Sequence, residues 1–477
     1  MAQQPAAPPI RPAAHRGWTD HPASVRGVLR LSLPAIGEQL LGAVVGITDT
    51  VIAGHMPGNA NRVSAATAAV GLMTYLQWFA GLMTAALAVG ATAIVSRAVG
   101  AKRVRVANRA AGTAISAAFI ISAITAALMF IFAHAIVHIC GLTGLAAKFA
   151  VEYLQIMVIT ISLQTSGQIG MAAVRGAGDT VRPMWIMAAV MLINAVASAT
   201  FTFGLFHAPA WGVRGNAFGT MLAYLTGGIG AAVILLGKKS RLSLSLRHFK
   251  IIPHVLMRIT KIGLPSWFEG ILLWGGQFII VIFVINSKTD PNGYTMAAHI
   301  AVLRIESLAF LPGFGFAIAA SALVGQYLGA GKPEQARRAA KIANRLAIAT
   351  MTVMALPMVL FPRLLLSLII HSPPVVAVGH WPMVLAGLAQ PAFAVAIVLS
   401  GALKGAGETI LPMICTVSGI FLVRAGVLVL LLVWFASRGI HGANLTAVWI
   451  AIFIDLCYRG VFNYVAFAKS PWQHRKI

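Results

Sequence analysis

About twelve apolar runs of 20 or more residues follow one another between Val28 and Ala468, separated by short polar breaks. Each is long enough to cross a hydrocarbon core of about 30 Å as a helix. Backbone polar groups in lipid must be satisfied within the segment, so a chain of such runs folds as spanning helices. The expectation is an all-α integral membrane protein of about twelve transmembrane helices, six in each half. Composition agrees: 59% of residues are hydrophobic, 10% are charged and mean hydropathy is +0.85, far from soluble domains.

The expected spans are 27–55, 64–96, 106–139, 147–174, 180–206 and 212–237, then 254–287, 295–328, 335–370, 379–403, 409–436 and 442–468. They imply a flexible tail at 1–26, an N-terminal six-helix lobe at 27–237, a linker at 238–253, a C-terminal six-helix lobe at 254–468 and a second tail at 469–477. Lys and Arg total 36 against 11 Asp and Glu. The excess crowds into alternate loops around Arg97–Arg109, Lys238–Lys250 and Lys332–Arg345. That is the positive-inside pattern, so both termini are expected in the cytoplasm of a multi-pass plasma-membrane protein. Nucleic-acid binding is not needed to explain the charge. Three cysteines without a C-x-x-C spacing exclude a disulfide framework.

The halves repeat. At a shift of 229, ATAIVSRAVGAKRVRVANRA (residues 91–110) lies on ASALVGQYLGAGKPEQARRA (320–339), and RGAGDTVRPM (175–184) on KGAGETILPM (404–413). A fixed offset at two distant places marks a duplicated unit. An even number of spans per half makes the repeats parallel, with a pathway expected between them. Gly176–Gly178 and Gly405–Gly407 suit tight turns with positive φ, and Pro183 and Pro412 then open the next helices.

Acids inside spans are costly and are therefore candidates for function. Glu38 and Asp49 lie eleven residues apart in the first span, about 20° apart around the helix and about 16 Å along it. Gly42 and Val45 stand between them, a stripe expected to leave room for water and a cation. Pro34–Glu38 and Pro265–Glu269 repeat across the halves, which places Glu38 and Glu269 toward the cleft as hosts for a cationic substrate. Asp49 has no twin, since Ile280 takes its place, so energy coupling is assigned to it: ionised, it favours one packing of the first span, protonated another. Asp455 and Arg459 are spaced for a local ion pair; Arg304 and Glu306 each need a partner elsewhere. His134 and His138, beside Cys140, read as an interfacial pair, and no metal or cofactor is expected. The absence of a Walker A, H-E-x-x-H or G-x-S-x-G motif argues against an enzyme or an ATP-driven pump.

The residues MAAHIAVLRIESLAFLPGFGFAIAASALVGQYLGAGKPEQARRA, GATAIVSRAVGA and RGAGDTVRPM carry a resemblance to the MATE (multidrug and toxic compound extrusion) transporters over nearly the whole chain. The resemblance implies two six-helix lobes in a V and efflux of amphipathic, often cationic compounds driven by inward H⁺ or Na⁺ flow, with H⁺ preferred here. It implies that Pro34 and Asp49 match the family's first-span proline and coupling aspartate, and that Asn194 and Thr220 complete that site. Ser198 stands where the family has a second acid. Glu269 resembles a seventh-span glutamate, while Phe393 replaces a tenth-span aspartate; these departures leave the coupling lobe and ion open. The partners expected are small organic cations and membrane lipids, for a monomeric carrier. A flippase for a lipid-linked precursor is the alternative. It would need a cleft lined by Arg or Lys, whereas the charges identified toward the cleft are acids.

Overall fold

Ser24 starts the first long helix: its hydroxyl accepts a hydrogen bond from the Gly27 N–H, satisfying one of the donors a helix start leaves unpaired. In the computed structural model, which describes residues 18–237, 240–280, 293–438 and 444–475, helices then succeed one another along the chain. They are α1 (Val25–Gly54), α2 (Ala60–Gly100), α3 (Val104–Ile131), α4 (Ala133–Ile139), α5 (Gly144–Gly176), α6 (Val181–Phe203) and α7 (Val213–Leu236). The second half holds α8 (Pro253–Ile280), α9 (Tyr294–Gly329), α10 (Pro333–Leu360), α11 (Pro362–Ile369), α12 (Pro373–Gly405), α13 (Ile410–Ser418), α14 (Ala425–Ser437) and α15 (Asn444–Lys469). Eleven helical segments among the described residues are long and apolar enough to span a membrane, α13 and α14 counting as one. The remaining one of the expected spans, α8, is long enough in its 28 residues, but Pro265 and Glu269 dilute its apolar character. Most of the expected tail 1–26, the linker residues Lys238 and Lys239, the end of the seventh span with Lys288 and Asp290, and the last two residues lie outside the described residues.

The repeat has a geometric counterpart. Gly178 and Gly407 both take positive φ, 88° and 79°, in the turns that follow α5 and α12. A Cβ on Gly100 of α2 would sit 2.6 Å from the Gln326 carbonyl carbon of α9, and one on Gly329 of α9 would sit 2.8 Å from the Arg97 carbonyl carbon of α2. The two contacts are the same contact seen from each half. Across this seam Gln326 Nε2 donates to Gly176 O at 2.8 Å, and Arg97 Nη2 to Ala406 O at 3.4 Å. The end of the molecule bearing the basic loops is thus closed backbone to backbone. Segments from both termini add to the closure. Trp18 donates to Gly178 O and Lys332 to Thr19 O, while Arg97 donates to Arg475 O and Arg475 pairs with Glu408.

One helix departs from the repeat. Between α13 and α14, Gly419–Arg424 forms a π turn, whose wider loop absorbs one extra residue. Arg424 therefore stands one residue further past Pro412 than Asn194 stands past Pro183, and like Asn194 it is buried.

Candidate functional site

α1, α6 and α7 meet around Asp49, which is buried. Asn194 Nδ2 donates to Asp49 Oδ1 at 2.9 Å, and the Thr220 hydroxyl lies 3.0 and 3.1 Å from its two oxygens. Asn216 Nδ2 holds the Asp49 backbone carbonyl at 3.1 Å, and Tyr153 OH donates to Thr220 Oγ1 at 3.3 Å. No cation is within ion-pair distance of Asp49 among the described residues. Its charge is answered by dipoles alone. Small residues permit this approach: a Cβ on Gly219 would meet Ser198 backbone, so α6 and α7 touch directly beside the site. Asn194 Oδ1 and Asn216 Oδ1 are buried without a hydrogen-bond partner among the described residues, two further oxygens that a small cation would use. The four residues expected together, Asp49, Asn194, Ser198 and Thr220, do come together: Asn194 Nδ2 also reaches Ser198 Oγ at 3.4 Å. Asn216 and Tyr153 were missed; Asn216 is detectable as a polar residue one helical turn before Thr220.

The stripe between Glu38 and Asp49 differs from expectation. Val45 is buried and Met187 of α6 lies over Gly42, so a flexible methionine occupies space expected to hold water.

Glu38 and Glu269 do form a pseudosymmetric pair, and each brings a cation. Arg175 Nη1 is 2.5 Å from Glu38 Oε1, and Lys404 Nζ is 2.8 Å from Glu269 Oε2, with Thr416 donating to Glu269 Oε1 at 3.2 Å. Arg175 and Lys404 are the first residues of the repeated RGAG and KGAG segments. The signal was present, since a repeated acid and a repeated base belonged to one pattern.

In the second half, Asp455 pairs with Arg459 as its spacing implied, and also with Arg424. Arg459 Nε and Nη2 and Arg424 Nε donate to its oxygens at 2.8–2.9 Å. Arg424 was missed because only acids were sought inside spans, although a lone Arg in an apolar run carries the same signal. Glu306 finds Gln390, whose Nε2 lies 3.5 Å away, and is within electrostatic reach of Arg424; Arg304 is exposed.

A cavity of about 450 Å³ lies between the halves, among α2, α5, α8, α9, α12 and α15. Among the described residues its charged lining is Arg175, Lys404, Arg424 and Arg459 with one carboxylate, Glu269. The expectation that acids dominate the cleft is therefore corrected. Glu38 and Asp455 sit behind their cations, which reach past them into the cavity. Counting acids along helices does not show which long basic side chains extend inward.

The MatE family model matches the chain twice, over residues 34–200 and 265–430, once in each half. The chain belongs to the MatE family. It is similar to the "Probable multidrug resistance protein NorM" of Thermotoga maritima, 27% identical over 459 residues and covering 94% of this chain and 93% of that one. The "Multidrug resistance protein MdtK" of Yersinia pseudotuberculosis is 26% identical, covering 80% of this chain and 82% of that protein. The fold matches an outward-facing multidrug-resistance MATE transporter of the MOP superfamily, with TM-score 0.81, 21% identity and coverage of 94% and 95%. It also matches a Pyrococcus furiosus MOP-superfamily transporter for which a reversed polarity of the binding pocket suggests a different function, again with TM-score 0.81 and 21% identity, covering 94% and 97%. This MatE protein is a membrane transporter and not an enzyme.

Proposed function

We propose that this MatE chain is a secondary active antiporter that exports amphipathic small molecules in exchange for H⁺. Two six-helix lobes, 27–237 and 254–468, would alternate access about the linker 238–253, with both tails on the cytoplasmic side of the plasma membrane. The observation that carries the reading is Asp49, buried on a helix that packs on α6 within its own half and on α9 of the other. Among the described residues it is held only by neutral donors. Adding one H⁺ removes its formal charge and gives Asn194 and Thr220 a different partner. The seat of α1 then changes, and with it the contact between the lobes. Ser198 leaves the site with one carboxylate, matched to one monovalent ion per cycle. Na⁺ is the other ion with chemistry for this site, through the unpartnered oxygens of Asn194 and Asn216.

The test is efflux by purified protein in vesicles with pH and Na⁺ gradients imposed separately. A pH gradient alone is expected to drive export, and Asp49→Asn to abolish it while substrate still binds. Full pH-driven efflux by Asp49→Asn would overturn the assignment, and export driven by the Na⁺ gradient alone would replace H⁺ by Na⁺. A flippase for a lipid-linked precursor is the second reading, favoured by the four cationic side chains of the cavity.

A further inference from the structure

The cavity between the halves has an apolar wall and a cationic one. Phe314, Phe393, Ile397 and Leu273 form the first, with Phe393 set edge-on to Phe310 at 5.6 Å. The second is built from both halves: Arg175 comes from α5, Lys404 from α12, Arg424 from the π turn and Arg459 from α15. Their side chains are 6–23% exposed, so they are largely out of bulk water. Three carboxylates answer these four cations, but Asp455 is fully buried and Glu38 is not part of the lining. Glu306, near Arg424, is also outside it. Among the described lining residues a molecule in the cavity meets four positive heads, each ion-paired, and one carboxylate. The Arg424–Arg459 pair shares one carboxylate at ion-pair distance, so an organic cation placed beside it would face net repulsion and an anion net attraction.

We propose that the cavity takes an amphipathic anion, with a carboxylate, sulfonate or phosphate on a ring-sized apolar body. The anionic group would sit between Lys404 and the Arg424–Arg459 pair, and the body against Phe314 and Phe393. The volume of about 450 Å³ suits a drug-sized molecule. This substrate class rests on the transporter reading, which makes the cavity the cargo site.

Equilibrium binding to the purified full-length protein in nanodiscs tests it without any gradient. Two dyes share one tricyclic body and differ in charge: fluorescein is anionic and rhodamine 123 cationic. Fluorescein is expected to bind at least tenfold tighter. Lys404→Gln removes one charge-assisted contact and bares Glu269, so fluorescein affinity should fall about 10- to 100-fold while rhodamine 123 affinity rises. Equal binding of both dyes by the unaltered protein, or preference for rhodamine 123, overturns the proposal even if the variant does not fold. Competition sorts the source of the anion. Displacement of fluorescein by a long-chain polyprenyl phosphate alone marks a lipid-linked anion, displacement also by a short alkyl phosphate marks a soluble one, and displacement by neither counts against an anion site. A protein that binds fluorescein but exports nothing sinks the transporter reading alone. One that exports yet prefers the cation sinks this inference alone.

Discussion

The glycine seam between α2 and α9 offers a way to force the molecule open from its closed end. In Gly100→Ala the new methyl would sit 2.6 Å from the Gln326 carbonyl carbon, and in Gly329→Ala it would sit 2.8 Å from that of Arg97. Carbon atoms need about 3.5 Å or more, and the facing carbonyl oxygen lies nearer still to each new methyl, so each substitution demands roughly 1 Å or more of separation between two backbones, neither of which can rotate aside. Overpacking of this kind costs about 1–3 kcal/mol per site. The cost falls only on the state in which the seam is closed, so the double variant should move the closed-to-open ratio by about 2–6 kcal/mol, roughly 30-fold to 10⁴-fold. Electron–electron distance measurements between spin labels on R103C and E334C, in a C140S background, would read the change. Both positions are exposed beside the seam. The double variant should show a longer distance as its main population, and gradient-driven export should slow because the closed state is rarely visited. Gly426→Ala is the control, since nothing among the described residues lies within 4 Å of its added methyl. An unchanged distance distribution in the double variant, with normal export, would refute the view that these glycines set the closed state.

Asp455→Asn removes the carboxylate that the buried Arg424 and Arg459 share, leaving Glu306 as the acid within reach of Arg424. We expect a loss of about 3–5 kcal/mol, seen as a lower melting temperature in detergent. Arg424→Met leaves a one-to-one pair with Arg459 and should melt closer to the parent; equal melting of Asp455→Asn and the parent would speak against the cluster's structural role. Thr220→Val removes the hydroxyl that spans both Asp49 oxygens. Gradient-driven export should fall about tenfold, the worth of one hydrogen bond to a charged group, with fluorescein binding in the distant cavity unchanged; loss of that binding would mean that Thr220 acts through the fold.

The helices were legible because a membrane span needs a long apolar run, and little else in a chain produces twelve of them. Asp49 was legible because the duplication left it without a twin, and the Asp455–Arg459 pair because both members lie on one helix. What escaped detection depends on contacts between helices. Arg175 and Lys404 were visible as repeated residues but read as parts of a turn, because their long side chains reach Glu38 and Glu269 across helix pairs, α5 with α1 and α12 with α8, that make little direct contact. Met187 fills the stripe beside Gly42 from another helix, which no spacing along α1 can reveal. Arg424 was hidden twice, as a base where acids were sought and as a residue whose inward direction depends on a π turn.

That π turn bears on how duplicated halves come to differ. An ungapped comparison sets Val423 opposite Asn194 and suggests that a polar position was lost to an apolar one. The wider turn shows otherwise: the second copy is read one residue out of phase, and an arginine arrives at the inward position while its neighbours keep their lipid-facing character. One added residue, absorbed within a single turn, thus gives two copies of one architecture different electrostatic characters, a carboxylate held by neutral donors in the first half and a carboxylate held by two arginines in the second.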